Sequence, residues 1–265
     1  MNELIALPVR RIGRLLCLVA AFIAPAAWAD SLRDYQDDSA RFRALASAAM
    51  EQGRMPRMYD PDVAALFARL TDGQIFYQAS DTALKNVAQS TAICDQVNDL
   101  AKMYYDFHVK HPRPFAGTQP EQLQAALLED FGDEISAFIA FGLHCNAHLI
   151  GLMEAEFVPR QTQEMSVSQS LRVRDFVKSS IVAYSGVVQS VNGPHWNVQQ
   201  KKVLLEAAAE HAVAHARLMP PFLRQFLLNS IAGADADLDP SLAAALLIIR
   251  RPLAMTECVG LCELF

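Results

Sequence analysis

Four histidines fall into two pairs with the same spacing: His144 and His148 in HCNAH, and His211 and His215 in HAVAH. An imidazole nitrogen can ligate zinc or copper, and two imidazoles four residues apart on a helix point the same way. Two such pairs could offer up to four nitrogens to one ion. The same spacing also describes two ordinary pairs of buried histidines, each satisfied by a backbone carbonyl, a serine or another histidine. The face-mates expected for the first pair are Ala137, Phe141 and Gly151; for the second they are Leu204, Ala207, Ala208, Leu218 and Phe222. Both pairs are therefore expected to point inwards. What the pattern lacks is a carboxylate. Di-iron bundles use Glu-x-x-His, and neither pair has a glutamate at that offset. Glu206 and Glu210 are expected on the charged side with Lys202, and Asp175 is the acid at a suitable level on the intervening helix. Nitrogen ligands alone suit zinc or copper.

The helices that must position these pairs can be read from breaks and caps. Thr118-Gln119-Pro120-Glu121 is a capping box with proline in the first turn, opening a helix to about Phe157. Ser166 and Gln169 form a second candidate box, for a helix ending at Asn192-Gly193, and a third helix runs from Pro194 to the Pro220-Pro221 break. In up-down-up order these helices fix the levels. At ~1.5 Å per residue, HCNAH lies ~16 Å from the first turn-round and HAVAH ~28 Å from the second. The intervening helix is ~40 Å long, so the two pairs are expected within about one helical turn of the same level.

The rest of the chain reads as helix too, with few glycines and no run of alternating β-branched residues. A first amphipathic helix is expected over 31–50, a loop at 53–61 and a short helix capped by Asp60. A longer helix follows to Val109, then an acidic turn at 234–240 and a last apolar helix over 241–250. The fold class expected is all-α: a bundle of about seven to nine helices forming one domain over 30–265. Its core is built around 134–153 and 203–218, and 111–120 is the only weak internal boundary. The stretch 134–153 carries no formal charge after Glu134. Two histidines and an asparagine in its middle favour a buried core helix over a membrane span.

Residues 1–29 read as a cleaved signal peptide. Arg10, Arg11 and Arg14 precede an apolar stretch at 15–24, and Ala27-Trp28-Ala29 offers small residues where a signal peptidase cuts. About ten apolar residues are too few to span a bilayer. The expected mature chain starts at Asp30 and is periplasmic or extracellular. It loses three arginines and one glutamate, which leaves 20 basic and 28 acidic residues and a net charge of −8. That balance, with no basic cluster, disfavours a nucleic-acid partner.

Cys94, Cys145, Cys258 and Cys262 remain after cleavage, an even number that reads as disulfides in an oxidising compartment. In a tight hairpin turning near residue 114, Cys94 would face about residue 134, ~16 Å short of Cys145. A disulfide tolerates only ~7 Å between α-carbons. Two arrangements stay open: a staggered hairpin, or a C-terminal tail that reaches back to pair Cys258 and Cys262 with Cys94 and Cys145.

No GxSxG, HExxH, P-loop or GxGxxG motif is present. Three functional readings follow. The first is an exported envelope protein that binds another protein or a small ligand without catalysis. The second is a metal- or cofactor-binding protein using His144, His148, His211 and His215, with zinc or copper as the ion. The third is an enzyme of unfamiliar type, since a helical fold excludes little chemistry.

Overall fold

The computed structural model describes residues 28–78, 87–111, 120–158, 165–234 and 239–264. Residues 1–27 of the expected signal peptide 1–29, Thr118-Gln119 of the first capping box and 235–238 of the expected acidic turn lie outside them. The described residues are all-α, in ten helical segments: α1 Trp28–Glu51, α2 Ala64–Leu70, α3 Ile75–Gln78, α4 Val87–Lys110, α5 Pro120–Phe157, α6 Val167–Gln189, α7 Val198–Glu210, α8 Ala212–Leu218, α9 Pro221–Ala234 and α10 Pro240–Met255. Short 3-10 turns follow α6, at Ser190–Asn192, and end the described chain at Gly260–Leu264.

Local chemistry accounts for most boundaries. Ser166 caps α6 with a complete box: its hydroxyl accepts from the Gln169 N–H, and the Gln169 side chain accepts from the Ser166 N–H. α7 opens in the same way on Asn197 and Gln200, four residues later than the Pro194 start expected from sequence. The intervening Gly193-Pro194-His195-Trp196 is a turn packed around the Trp196 ring, which lies 2.9 Å from where a Gly193 Cβ would stand. α8 stops because Met219 precedes a proline and is driven to extended backbone (φ −92°, ψ 134°). α10 runs five residues past its expected end and carries Pro252 inside it.

α5 is the spine. Phe131, Phe138, Phe141, Cys145 and Leu149 on it join α1, α2 and α4 in one hydrophobic core with Phe42, Phe67 and Tyr104. Ala140 and Leu143 join a second core made by α6, α7, α8, α9 and α10. Ile150 enters a third with Val173, Val177, Leu218 and Leu261 of the C-terminal turn. Buried Glu134 accepts hydrogen bonds at 2.9 Å from the Arg57 guanidinium and the Met58 N–H, which seats the 53–62 loop against the spine. Gln200 donates to Asp133 at 2.9 Å, and its amide fills the space a side chain at Gly132 would need. By length and composition the Gln122–Phe157 stretch could cross a membrane, and about two-fifths of its most apolar window is buried by the rest of the fold.

The hairpin of α4 and α5 is staggered, and Cys94 bonds Cys145 with α-carbons 5.8 Å apart. Cys94 lies ~24 Å before the end of α4 and Cys145 ~38 Å after the start of α5, so α5 overhangs its partner by ~14 Å. The tight turn assumed from sequence does not apply, because a nine-residue connection separates the helices and Phe131 breaks the geometry of α5 (φ −132°, ψ 22°). Cys258 and Cys262 bond each other, α-carbons 5.5 Å apart, rather than reaching back to the core.

Candidate functional site

The two histidine pairs lie at matched level, but their four rings do not converge. His144 on α5 and His211 at the α7–α8 junction meet directly: Nδ1 of His144 and Nε2 of His211 are 2.7 Å apart in a hydrogen bond, with the rings nearly perpendicular. His148 turns to α4 and α3, with its Nε2 3.2 Å from the Ser90 hydroxyl and its ring stacked on Phe76. His215 is fully buried. Its Nδ1 donates to the His211 carbonyl at 3.0 Å, and its ring stacks on Tyr184 at 4.5 Å.

The carboxylate missing from the sequence pattern is Glu210. Its Oε1 lies 3.9 Å from His144 Nδ1 and 4.0 Å from His211 Nε2. Among the described residues, the potential ligand atoms gathered within 4.8 Å of one another are those of His144, Glu210 and His211. Asp175, the acid considered from sequence, is exposed on α6, while Glu206 does pair with Lys202 as expected for the charged side.

A helix break explains why Glu210 was missed. The sequence reads as one helix through HAVAH, and adjacent residues on an unbroken helix point ~100° apart. In the structure α7 ends at Glu210, α8 begins at Ala212, and His211 between them has φ −108° and ψ 14°. Nothing in AAAEHAVAH breaks a helix; it contains neither proline nor glycine. A tertiary hydrogen bond sits at the break instead: the buried Tyr184 hydroxyl on α6 donates to the Ala208 carbonyl at 3.1 Å, while within α8 the His215 ring shares the His211 carbonyl with its own backbone N–H.

The α2–α3 loop closes the other side of His144. A Cβ at Gly73 would collide with the His144 ring, so only glycine lets the loop come this close. Asp72, one residue earlier, caps the Gln74 N–H and adds negative charge that works to raise the His144 pKa. Burial outweighs it, and with Glu210 also opposing, His144 still titrates below an ordinary histidine. Burial, with smaller contributions from His144 and His215, pushes His211 down to about 3. Burial likewise lowers His215 to about 4, against the opposing effect of its bond to the His211 carbonyl. At neutral pH all three rings are uncharged, and in the His144–His211 pair one ring uses its lone pair to accept the N–H of the other.

On the opposite face of α5 lies a trough of about 550 Å³ that opens to solvent. Ile135, Ile139, Gly142 and Leu143 of α5 line it together with Asn98 of α4, and Ala183 and Gly186 of α6. Set against protein-family models, curated proteins and solved structures, the chain matches none of them.

Proposed function

We propose that this chain is an exported protein that works by binding, and that its ligand is an elongated apolar small molecule held in the trough along α5. Export is supported by the n-region, h-region and cleavage pattern of residues 1–29 and by the two disulfides. The observation that carries the ligand is a pair of glycines. Gly142 and Gly186 sit inside α5 and α6, where each costs roughly 1 kcal/mol relative to alanine. A Cβ at either would meet nothing within 4 Å, so packing does not require glycine there. Both line the same trough, and both keep it wide.

Size selects the class of occupant. The trough's volume, about 550 Å³, falls in the range of small-molecule pockets, ~300–1,000 Å³. The lining is mostly apolar, with Asn98, Gln124, Asn146, Ser179, Ser190 and the Trp196 indole among the groups able to orient a polar end.

Titration with the fluorescent fatty acid cis-parinarate tests this reading. One-to-one saturable binding is expected, weakened at least tenfold in Gly142→Leu and Gly186→Leu, with melting temperatures unchanged or raised. Absence of saturable binding in the wild type overturns the reading, as do leucine variants that bind like the wild type.

A further inference from the structure

The trough does not use His144, which lies across α5 from Gly142 and Asn146. We propose that His144 Nδ1, His211 Nε2 and the Glu210 carboxylate form a binding site for one divalent transition-metal ion, zinc or copper(II), with a fourth position open to solvent.

The distances come first. Ligand atoms bound at ~2.0–2.1 Å around a tetrahedral ion stand ~3.3 Å apart. The Glu210 oxygen, at 3.9 and 4.0 Å from the two nitrogens, closes to that spacing with a small rotamer adjustment. The nitrogens, now 2.7 Å apart in their hydrogen bond, must part by about half an ångström. The ring that donates in that bond passes its proton to its other nitrogen, so each ring presents a lone pair and no proton need leave the site.

The backbone is the second, independent observation. A helix break inside a strongly helix-forming segment needs a cause, and neither proline nor glycine supplies one here. The break is what lets Glu210 and His211 face the same point. The buried Tyr184 hydroxyl, from α6, holds it from behind through the Ala208 carbonyl.

Ligand chemistry selects the ion. Two imidazoles and a carboxylate suit zinc or copper(II), whereas copper(I) calls for the thiolate or thioether groups that this set lacks. Asp72 beside His144 adds a second negative charge that favours a cation. Glu210 is 47% exposed on its side chain, so an ion can enter and keep a water or an exogenous ligand.

The test is calorimetric titration of the untagged exported chain with zinc and copper(II), together with the visible spectrum of its cobalt(II) form. One equivalent of zinc or copper(II) is expected to bind, and cobalt to give the intense bands of a low-coordinate site. Glu210→Gln, a change at a half-exposed side chain, is expected to weaken binding at least tenfold, and His144→Ala or His211→Ala to abolish it. His148→Gln, which keeps a partner for Ser90, is expected to bind as the wild type does. The proposal is overturned if the wild type takes up no stoichiometric metal, or if Glu210→Gln binds unchanged. Loss of metal in His148→Gln would also overturn it, because the site would then be the four-histidine one. Should His211→Ala fail to fold, Glu210→Gln decides.

Discussion

At the scale of single residues, the buried histidines tie stability to pH. His215 titrates at about 4 in the folded protein against 6.5 for the free side chain, because burial disfavours its charged form. Between those values the unfolded chain holds a proton that the folded chain does not, so stability rises with pH there. The contribution is complete above pH 6.5 and is lost as pH falls towards 4. Urea unfolding at pH 7 and pH 4.5 reads it directly: the wild type is expected to lose about 2 kcal/mol more than His215→Asn over that interval. An equal loss in both proteins would show that His215 does not carry this pH dependence. This scale is also where sequence reading was least complete. The level of the histidine pairs was legible, because rise per residue is fixed by helix geometry. Which nitrogens meet was not, since a one-residue break at His211 turns Glu210 from the charged side towards His144, and His215, inward as expected, stacks on Tyr184 instead of facing His144. Gly73 gave no signal at all: its role is a close approach between segments seventy residues apart.

At the scale of elements, the caps and stops were the readable part. Ser166, Gly193 and the prolines at 220 and 221 act within one turn of chain, so their effect can be inferred without knowing the neighbours. The α4–α5 stagger depends on a nine-residue connection and a kink, which local patterns do not encode, and so the disulfide pairing stayed open between two schemes. The pairing observed divides the work unequally. Cys94 and Cys145 are buried and close a loop across 51 residues, while Cys258 and Cys262 are partly exposed and only four apart. Chain entropy assigns about 4 kcal/mol to the long loop and about 2 kcal/mol to the short one. Cys94→Ser/Cys145→Ser is therefore expected to lower unfolding free energy by roughly twice as much as Cys258→Ser/Cys262→Ser. Under mild dithiothreitol, alkylation and peptide mapping are expected to find the tail pair reduced first. The reverse order would mean that access to the hairpin is easier than its burial indicates.

At the scale of the whole molecule, the all-α fold and the central place of 134–153 were both legible, because an uncharged run that long can be satisfied only by burial or by lipid. What could not be read was that this one helix serves three cores. Native-state hydrogen exchange follows from that arrangement: opening the middle of α5 must disrupt all three, so amides near 138–150 are expected to exchange last, with a free energy close to that of global unfolding. Faster exchange there than in α7 would separate the molecule into two independently opening halves. The spine also has a bearing on how such a sequence can drift. One side of α5 holds the aromatic core and a cystine, another lines the trough, and a third presents His144. Outer helices such as α1 and α6 keep a solvent side on which replacements accumulate freely; α5 keeps almost none. Over long divergence its composition is held in place by several unrelated constraints at once, and a descendant that abandoned the trough or the imidazole would still have to spell most of this helix the same way.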